Sequence, residues 1–325
     1  MAEQSFGFLP HIGFEGGGQI EVDAGDDEFV VVLSVHDTTY GFWVTDKNPP
    51  PVNTAALSAE LSRFTSVIVT GGSSGIGKSF IGLMGKLNPS LRFCNLSRTE
   101  PDIKSLQLNL RHIGCDLAKA TDIVAAAEAV TAWVNADPVG GAVLLINNSG
   151  FGAYGRFPEP DLSHQLELVD VNVRAVLDLT GRLLPLLKAR GGAVVTVAST
   201  AAFQPTAYLA AYGASKSFVQ HWSLALNEEL RGTGVRTLVV CPGPTSTQFF
   251  RRAGLQQGSV PDAFGMTADE VVLLALRALA KGRAQVVTGW KNRLSTALVS
   301  KLPKPFAAWL AAKVLARFRL KQVRR

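Results

Sequence analysis

Val67-Ile68-Val69-Thr70-Gly71-Gly72-Ser73-Ser74-Gly75-Ile76-Gly77 decides how this 325-residue chain is read. The apolar run 66–70 is short and β-branched, as a buried strand is. A helical pattern over 75–87 follows at once. Between them, Gly71, Gly75 and Gly77 stand where a backbone must turn tightly and be approached closely. A helix opening on such a turn offers free N–H groups and a positive dipole end to phosphate. Ser73 and Ser74 add two hydroxyls that can bond phosphate. Glycine turns are common, so the weight lies in the placement of this one, after a strand and before a helix through Ile76.

The same alternation continues down the chain. Strand-like runs fall at 66–70, 91–96, 110–115, 142–147, 193–198, 235–240 and 284–288, and helical patterns at 75–87, 118–136, 162–189, 209–231 and 267–281. Strands alternating with helices predict an α/β fold, a Rossmann-type doubly wound parallel sheet of about seven strands with helices on both faces. Residues 61–289 form this domain. Residues 1–60 precede it as an acidic extension, with two short strands expected at 29–34 and 40–45 around a turn at 37–39. Pro49-Pro50-Pro51 reads as a stiff linker. Residues 290–325 follow as a basic helical tail.

Composition narrows the function. Apolar residues make up 47%, which excludes wholesale disorder. No apolar run approaches the ~18 residues of a membrane span. The first residues lack a basic start and an apolar stretch, so a cytoplasmic location is expected. Cys94, Cys115 and Cys241 lie in or beside strand-like runs and read as reduced thiols. The five histidines show no metal spacing, so no metal site is expected. Residues 1–60 carry ten acids and one base, whereas 271–325 carry thirteen bases and no acid. The basic end suits an acidic protein face or anionic lipid; no nucleic-acid motif accompanies it.

Tyr212 and Lys216 lie four apart on a helical stretch and so share a face. Ser199 closes the strand-like run 193–198, thirteen residues before Tyr212. A phenol near pKa ~10 is a poor acid at neutral pH. A neighbouring ammonium is expected to lower it. Tyr208 is a weaker candidate phenol, with Tyr212 rather than a base four residues on. Thr200 is one residue off the spacing.

With these residues in place, the chain resembles the short-chain dehydrogenase/reductase family from about Ser66 to Gly289. The matching motifs are Thr70-Gly71-x-x-x-Gly75-x-Gly77, Asn147-Asn148-x-Gly150, Ser199 with Tyr212-x-x-x-Lys216, and Pro242-Gly243 with Thr247. The run Asn147 to Gly152, with Gly155 and Phe157, resembles a bacterial branch of NADP-dependent reductases of unassigned substrate. The resemblance implies that Ser199 polarises the substrate oxygen, that Tyr212 is the proton donor and that Lys216 binds the nicotinamide ribose. It implies that Asn172 anchors a water leading to the lysine; alternatively that residue is a local kink or core hydrogen bond. Asp116 is implied at the adenine amino group and also reads as the N-cap of the 118–136 helix. Asn148 is implied on the adenosine side, or closes the strand as a turn residue. The segment Pro242-Gly243-Pro244-Thr245-Ser246-Thr247 is implied to grip the carboxamide.

The second strand ends Asn95-Leu96-Ser97-Arg98, a small residue and a cation where an NAD site presents a carboxylate. That favours NADP(H) over NAD(H), with Arg98 on the 2′-phosphate; the alternative is a solvated loop charge. The expected activity is a carbonyl/secondary alcohol interconversion. The alternative is a dinucleotide-sensing binding protein, which would be expected to lack Tyr212 or Lys216. Phe249, Phe250, Leu255, Val260 and Phe264, with Arg251 and Arg252 among them, suggest a lid over 246–266 and an apolar carbonyl or alcohol substrate. A homo-oligomer, dimer or tetramer, is expected. In the tail, Phe306, Leu310, Val314 and Phe318 form one row and Lys313, Arg317 and Lys321 another on much the same side. Mixed rows favour protein packing over peripheral membrane contact.

Overall fold

The computed structural model of the chain describes residues 12–13, 18–24, 28–35, 38–45, 54–103, 107–137, 139–159, 161–247, 249, 253 and 265–317. Strands β1 (Ile12–Gly13), β2 (Gly18–Ala24), β3 (Glu28–Val35) and β4 (Thr38–Thr45) form a four-stranded sheet in that order, paired antiparallel. The expected pair of strands is therefore part of a larger sheet. Thr38 and Thr39 belong to β4 and not to the turn, pairing with Val35 and Ser34.

The remaining strands are β5 (Phe64–Thr70), β6 (Arg92–Ser97), β7 (Asn109–Gly114), β8 (Ala142–Asn147), β9 (Gly192–Val197), β10 (Val235–Cys241) and β11 (Gln285–Val287). They make one parallel sheet in the order β7-β6-β5-β8-β9-β10-β11. The order reverses between β5 and β8. Crossovers from these two strands leave on opposite faces, which opens a crevice at their carboxyl ends.

Helices α1 (Thr54–Ser62), α2 (Gly75–Leu87), α3 (Ala120–Asn135), α4 (Leu162–Val169), α5 (Ala175–Arg190), α6 (Ala210–Glu229) and α7 (Ala268–Ala280) surround that sheet. Strand residues alternate between its faces. Val67, Val69, Leu144 and Ile146 meet α1, α2 and α7 through Leu61, Phe80, Ile81, Met84, Val272 and Leu276. Ile68, Val143, Leu145 and Val194 meet α3 and α5 through Ile123, Val130, Leu179 and Leu183. Both faces are covered at the centre, so β8 and β9 read as near-continuous apolar runs, whereas the edge strand β7 carries Arg111 and His112. Thr267 caps α7, its hydroxyl accepting from the Glu270 N–H while the Glu270 carboxylate accepts from the Thr267 N–H.

Three features depart from the expected elements. Residues 54–60, read as part of the extension, join 61 and 62 in α1, which buries Leu57 and Leu61 in the core and pairs Glu60 with Arg236. The expected helix over 162–189 is interrupted by one π-helical turn, Asp170–Arg174. The tail carries two helices, α8 (Trp290–Val299) and α9 (Lys304–Arg317). The three cysteines are free and buried, and burial pushes their thiols up to about 12, 11 and 12 for Cys94, Cys115 and Cys241. Thiols so raised are poor nucleophiles. Among the described residues no His, Cys, Asp and Glu side chains cluster as a metal site, and no helix is long and apolar enough to cross a membrane.

Candidate active site

The glycine turn sits at the carboxyl end of β5, inside the crevice. Gly71 has φ +68°, a left-handed conformation that favours glycine, and its N–H donates to Leu96 O at 2.9 Å. The Gly72 N–H donates to Asn95 Oδ1 at 2.7 Å. Asn95 in turn donates to Ser97 Oγ at 2.9 Å. The end of β6 thereby holds the turn in shape. Gly77 lies against Gly71 O and the Asn148 side chain, where an added Cβ has no room. Asn148 Nδ2 donates to Thr70 O at 2.9 Å and Gly71 O at 3.2 Å. The Thr70 hydroxyl accepts from the N–H groups of Asn148 and Ser149, at 2.9 and 3.0 Å. Thr70, Asn95 and Asn148 together leave a backbone cradle at the N-terminus of α2, the shape a pyrophosphate needs. The first two act through side-chain oxygens that accept from backbone N–H groups, and their effect follows only from contacts 23 to 79 residues apart.

Arg98 lies on the rim of this cradle, well exposed, with Nη1 3.6 Å from Glu167 Oε1. Glu167 belongs to α4, an element that no motif places beside Arg98. Asp116 lines the same crevice. It is not the helix N-cap: α3 begins at Ala120 with Lys119 in the cap position, and Asp116 Oδ1 accepts from the Ala118 N–H at 3.2 Å. The Asp122 carboxylate accepts instead from the Asp116 N–H at 3.0 Å.

The catalytic candidates converge from β9, α6 and the π turn. Ser199 follows β9 and caps the short 3₁₀ turn Thr200–Phe203, its Oγ accepting from the Ala201 N–H at 3.1 Å. Tyr212 is buried on α6, with Ser199 beside its phenol. Burial pushes its phenol up to about 12, and Ser199 pulls the other way. Lys216, one turn on, is also buried and held down to about 8 by burial. Its Nζ donates to Val197 O at 2.8 Å and lies 5.9 Å from the centre of the Tyr212 ring. In the chain alone burial sets the direction of the phenol's shift, and the opposing pull comes from Ser199.

Asn172 stands at the centre of the π turn. It accepts from the Phe151 N–H at 3.1 Å, and its Nδ2 donates to Phe151 O at 3.0 Å and Ser215 Oγ at 3.1 Å. These bonds tie the loop after β8 to α6 beside the lysine. The side chain meets both expected alternatives, the local kink and the core hydrogen bond.

The segment after β10 crosses the crevice. Thr245 bridges to Met266, its hydroxyl donating to Gly243 O at 3.0 Å, and the Thr247 hydroxyl accepts from the Phe249 N–H at 3.2 Å. Thr247 also packs on Gly75, which joins this segment to the glycine turn. Asn292 of α8 packs on Gly243, and its Nδ2 donates to Thr288 O at 2.7 Å. Phe249 lies 5.1 Å from the Tyr212 ring, centre to centre. The other expected lid residues, Phe250, Arg251, Arg252, Leu255, Val260 and Phe264, lie outside the described residues, as do Phe318 and Lys321 of the tail.

One cavity of about 1170 Å³ joins these parts, from the glycine turn past Arg98 and Asp116 to Ser199, Tyr212 and Lys216. It takes in Pro242, Gly243, Thr245 and Thr247, and every other site residue named from the sequence except Gly77 and Asn172, which support it from behind. Asn292 and the C-terminal helices complete the wall, a contribution that no motif announced. The cradle, the helix N-terminus and the rim cation fit a dinucleotide.

The chain is similar to proteins already known. The short chain dehydrogenase family model matches residues 65–258. An uncharacterized oxidoreductase of Myxococcus xanthus is 27% identical over 76% of this chain and 96% of its own. A short chain dehydrogenase of Pseudocercospora fijiensis is 31% identical over 71% of this chain and 73% of its own. Among solved structures, a short-chain dehydrogenase from Sphingobium yanoikuyae in complex with NADPH shares the fold, with TM-score 0.61 and 24% identity over 81% of this chain and 98% of its own. With the parallel sheet, the glycine cradle and the Ser199-Tyr212-Lys216 group in one crevice, this chain belongs to the short-chain dehydrogenase/reductase family and is an NAD(P)-dependent oxidoreductase acting on CH–OH groups.

Proposed function

We propose that this enzyme prefers NADP(H) and interconverts a ketone and a secondary alcohol on an apolar substrate. The observation that carries the reading is the meeting of Ser199, Tyr212 and Lys216 in the same cavity as the glycine cradle. A bound NADPH supplies the hydride. Tyr212, whose phenol stays protonated, delivers a proton to the oxygen that becomes alkoxide. The Ser199 hydroxyl bonds that oxygen and holds the carbonyl toward the phenol. Lys216, held at about 8, is mostly cationic at neutral pH and offsets the charge that grows there. Asn172 keeps the Phe151 loop and α6 in register behind the lysine.

Two observations support the finer choices. Arg98 stands at the rim with no carboxylate at the end of β6, which suits a 2′-phosphate. Tyr154, Phe249 and Leu209 face the Tyr212 side of the cavity, which suits an apolar group on the carbonyl. The test is a panel of alkyl, aryl and cyclic ketones, read as loss of NADPH absorbance and repeated with NADH. Turnover of an apolar ketone with NADPH, at least tenfold faster in kcat/KM than with NADH, is the expected result. Equal use of both cofactors would reject the NADP preference, and failure of every ketone the reaction.

A further inference from the structure

The catalytic cavity does not end at Tyr212. It runs on between α8 and α9, where Leu298, Val299, Leu302, Leu310, Ala311 and Val314 line it. None of these side chains can donate or accept a hydrogen bond. The polar lining of the same helices, Asn292, Ser295 and Thr296, lies in the first two turns of α8, where Asn292 packs on Gly243. The wall thus grades from polar at the Gly243 segment to apolar beyond it. The helix pair is anchored next to the catalytic serine: Lys304 Nζ, at the start of α9, donates to Phe203 O at 3.4 Å, on the turn that follows Ser199.

The apolar stretch has length and an open end. From Ala307 to Val314 the wall covers eight residues of helix, a rise of roughly 10 Å. Leu310 and Val314 line the cavity and yet remain 37% and 44% exposed. Two helices that leave apolar side chains facing a cleft are stabilised when an apolar group fills it. The tail row Phe306, Leu310, Val314 is accordingly not packed away on this chain.

We infer that the α8–α9 cleft is a binding subsite for an alkyl or acyl chain attached to the reacting carbonyl. The inference rests on the proposed ketone reduction at Tyr212 and names its substrate class. A chain seated there leaves its carbonyl at Ser199 and Tyr212 and its far end beside Leu310 and Val314. Charged or strongly hydrated substituents beyond the carbonyl are selected against, since that lining gives them no partner.

The test uses the full chain and two readouts. Methyl ketones from 2-butanone to 2-dodecanone are compared by kcat/KM with NADPH. The matching 2-alkanols are compared by calorimetric dissociation constant in the presence of cofactor. Each added methylene is expected to raise kcat/KM and tighten binding about threefold until the cleft is full. Ala311→Trp fills the cleft and is expected to cause losses that grow with chain length, exceeding tenfold at the longest chain. Leu310→Lys, at a more exposed position, is expected to flatten the same series and stands in if the first variant fails to fold. Alkanol affinity independent of chain length, or equal losses at all lengths in both variants, would overturn the subsite. Affinity that rises with chain length while no ketone is reduced would support the subsite and reject the reaction proposed at Tyr212.

Discussion

The two ends of the cavity are built on opposite principles. The dinucleotide end is made of backbone: glycines that bring N–H groups close, a helix N-terminus, and Thr70, Asn95 and Asn148 locking the turn from behind. The far end is made of apolar side chains on α8 and α9, and among the described residues no hydrogen-bonding side chain lines it beyond the turn that holds Ser295 and Thr296. Tyr212 stands between them. The first end tolerates almost no change, because a backbone cradle has one shape. The second tolerates volume-conserving change, because burial of apolar area is not directional.

The largest effect is expected at the junction. Tyr212→Phe removes the proton donor and keeps the ring against Phe249. Turnover should fall by about a thousandfold or more, roughly 4 kcal/mol in barrier, with the NADPH dissociation constant within twofold of wild type. Activity within about threefold would remove Tyr212 from the role of acid.

A breach of the cradle comes next. Gly77→Ala puts a methyl against Gly71 O and the Asn148 side chain. Alanine is the better helix former by about 1 kcal/mol, so a gain in helix propensity competes with the clash. The clash should win, and NADPH binding should weaken at least tenfold by fluorescence titration. An unchanged dissociation constant would show that the cradle is looser than described.

Arg98→Ala should weaken NADPH about tenfold and leave NADH unchanged, since a charge-assisted bond contributes about 1.5–3 kcal/mol and this side chain is exposed. Glu167, 3.6 Å away, competes for the same guanidinium. Glu167→Gln should therefore tighten NADPH slightly, by about twofold to threefold, and leave NADH alone. Equal shifts for both cofactors would assign Arg98 and Glu167 to the surface.

The smallest effect is a pH dependence. Burial lowers Lys216 from 10.5 to about 8, so its cation is present below that pH and lost above it. The ketone-reduction rate should fall as pH rises through about 8. Between about 8 and 10.5 the unfolded chain holds a proton on this lysine that the folded chain has released, so its contribution to stability rises with pH across that window. Tyr212 acts in the opposite sense between 10 and about 12, where the folded chain keeps a proton that the unfolded chain loses. Urea melts of wild type and Lys216→Met at pH 7 and 9.5 isolate the lysine: the variant's relative stability should be higher at pH 7.

The comparison also explains what the sequence could tell. The sheet was legible because buried parallel strands are continuous apolar runs, and β8 and α2 fall at the expected residues. The glycine turn and the Tyr212-Lys216 pair were legible because their chemistry depends on local spacing. The phenol's direction of shift was not, since burial on α6 is decided by what packs over it. Glu167 beside Arg98 and Asn292 on Gly243 were equally hidden, because each partner comes from an element 49 or more residues away. The C-terminal wall has no motif at all: its residues are ordinary helix formers whose role follows from where α8 and α9 pack.

The most direct measurement follows the hydride itself. NADPH carrying deuterium on the transferring carbon is incubated with the wild-type chain and an apolar methyl ketone, and the alcohol is analysed by mass spectrometry. The account predicts one deuterium on the carbinol carbon of the product, and none with Tyr212→Phe over the same time. NADPH that binds the cradle while no ketone of the panel takes up deuterium would contradict it.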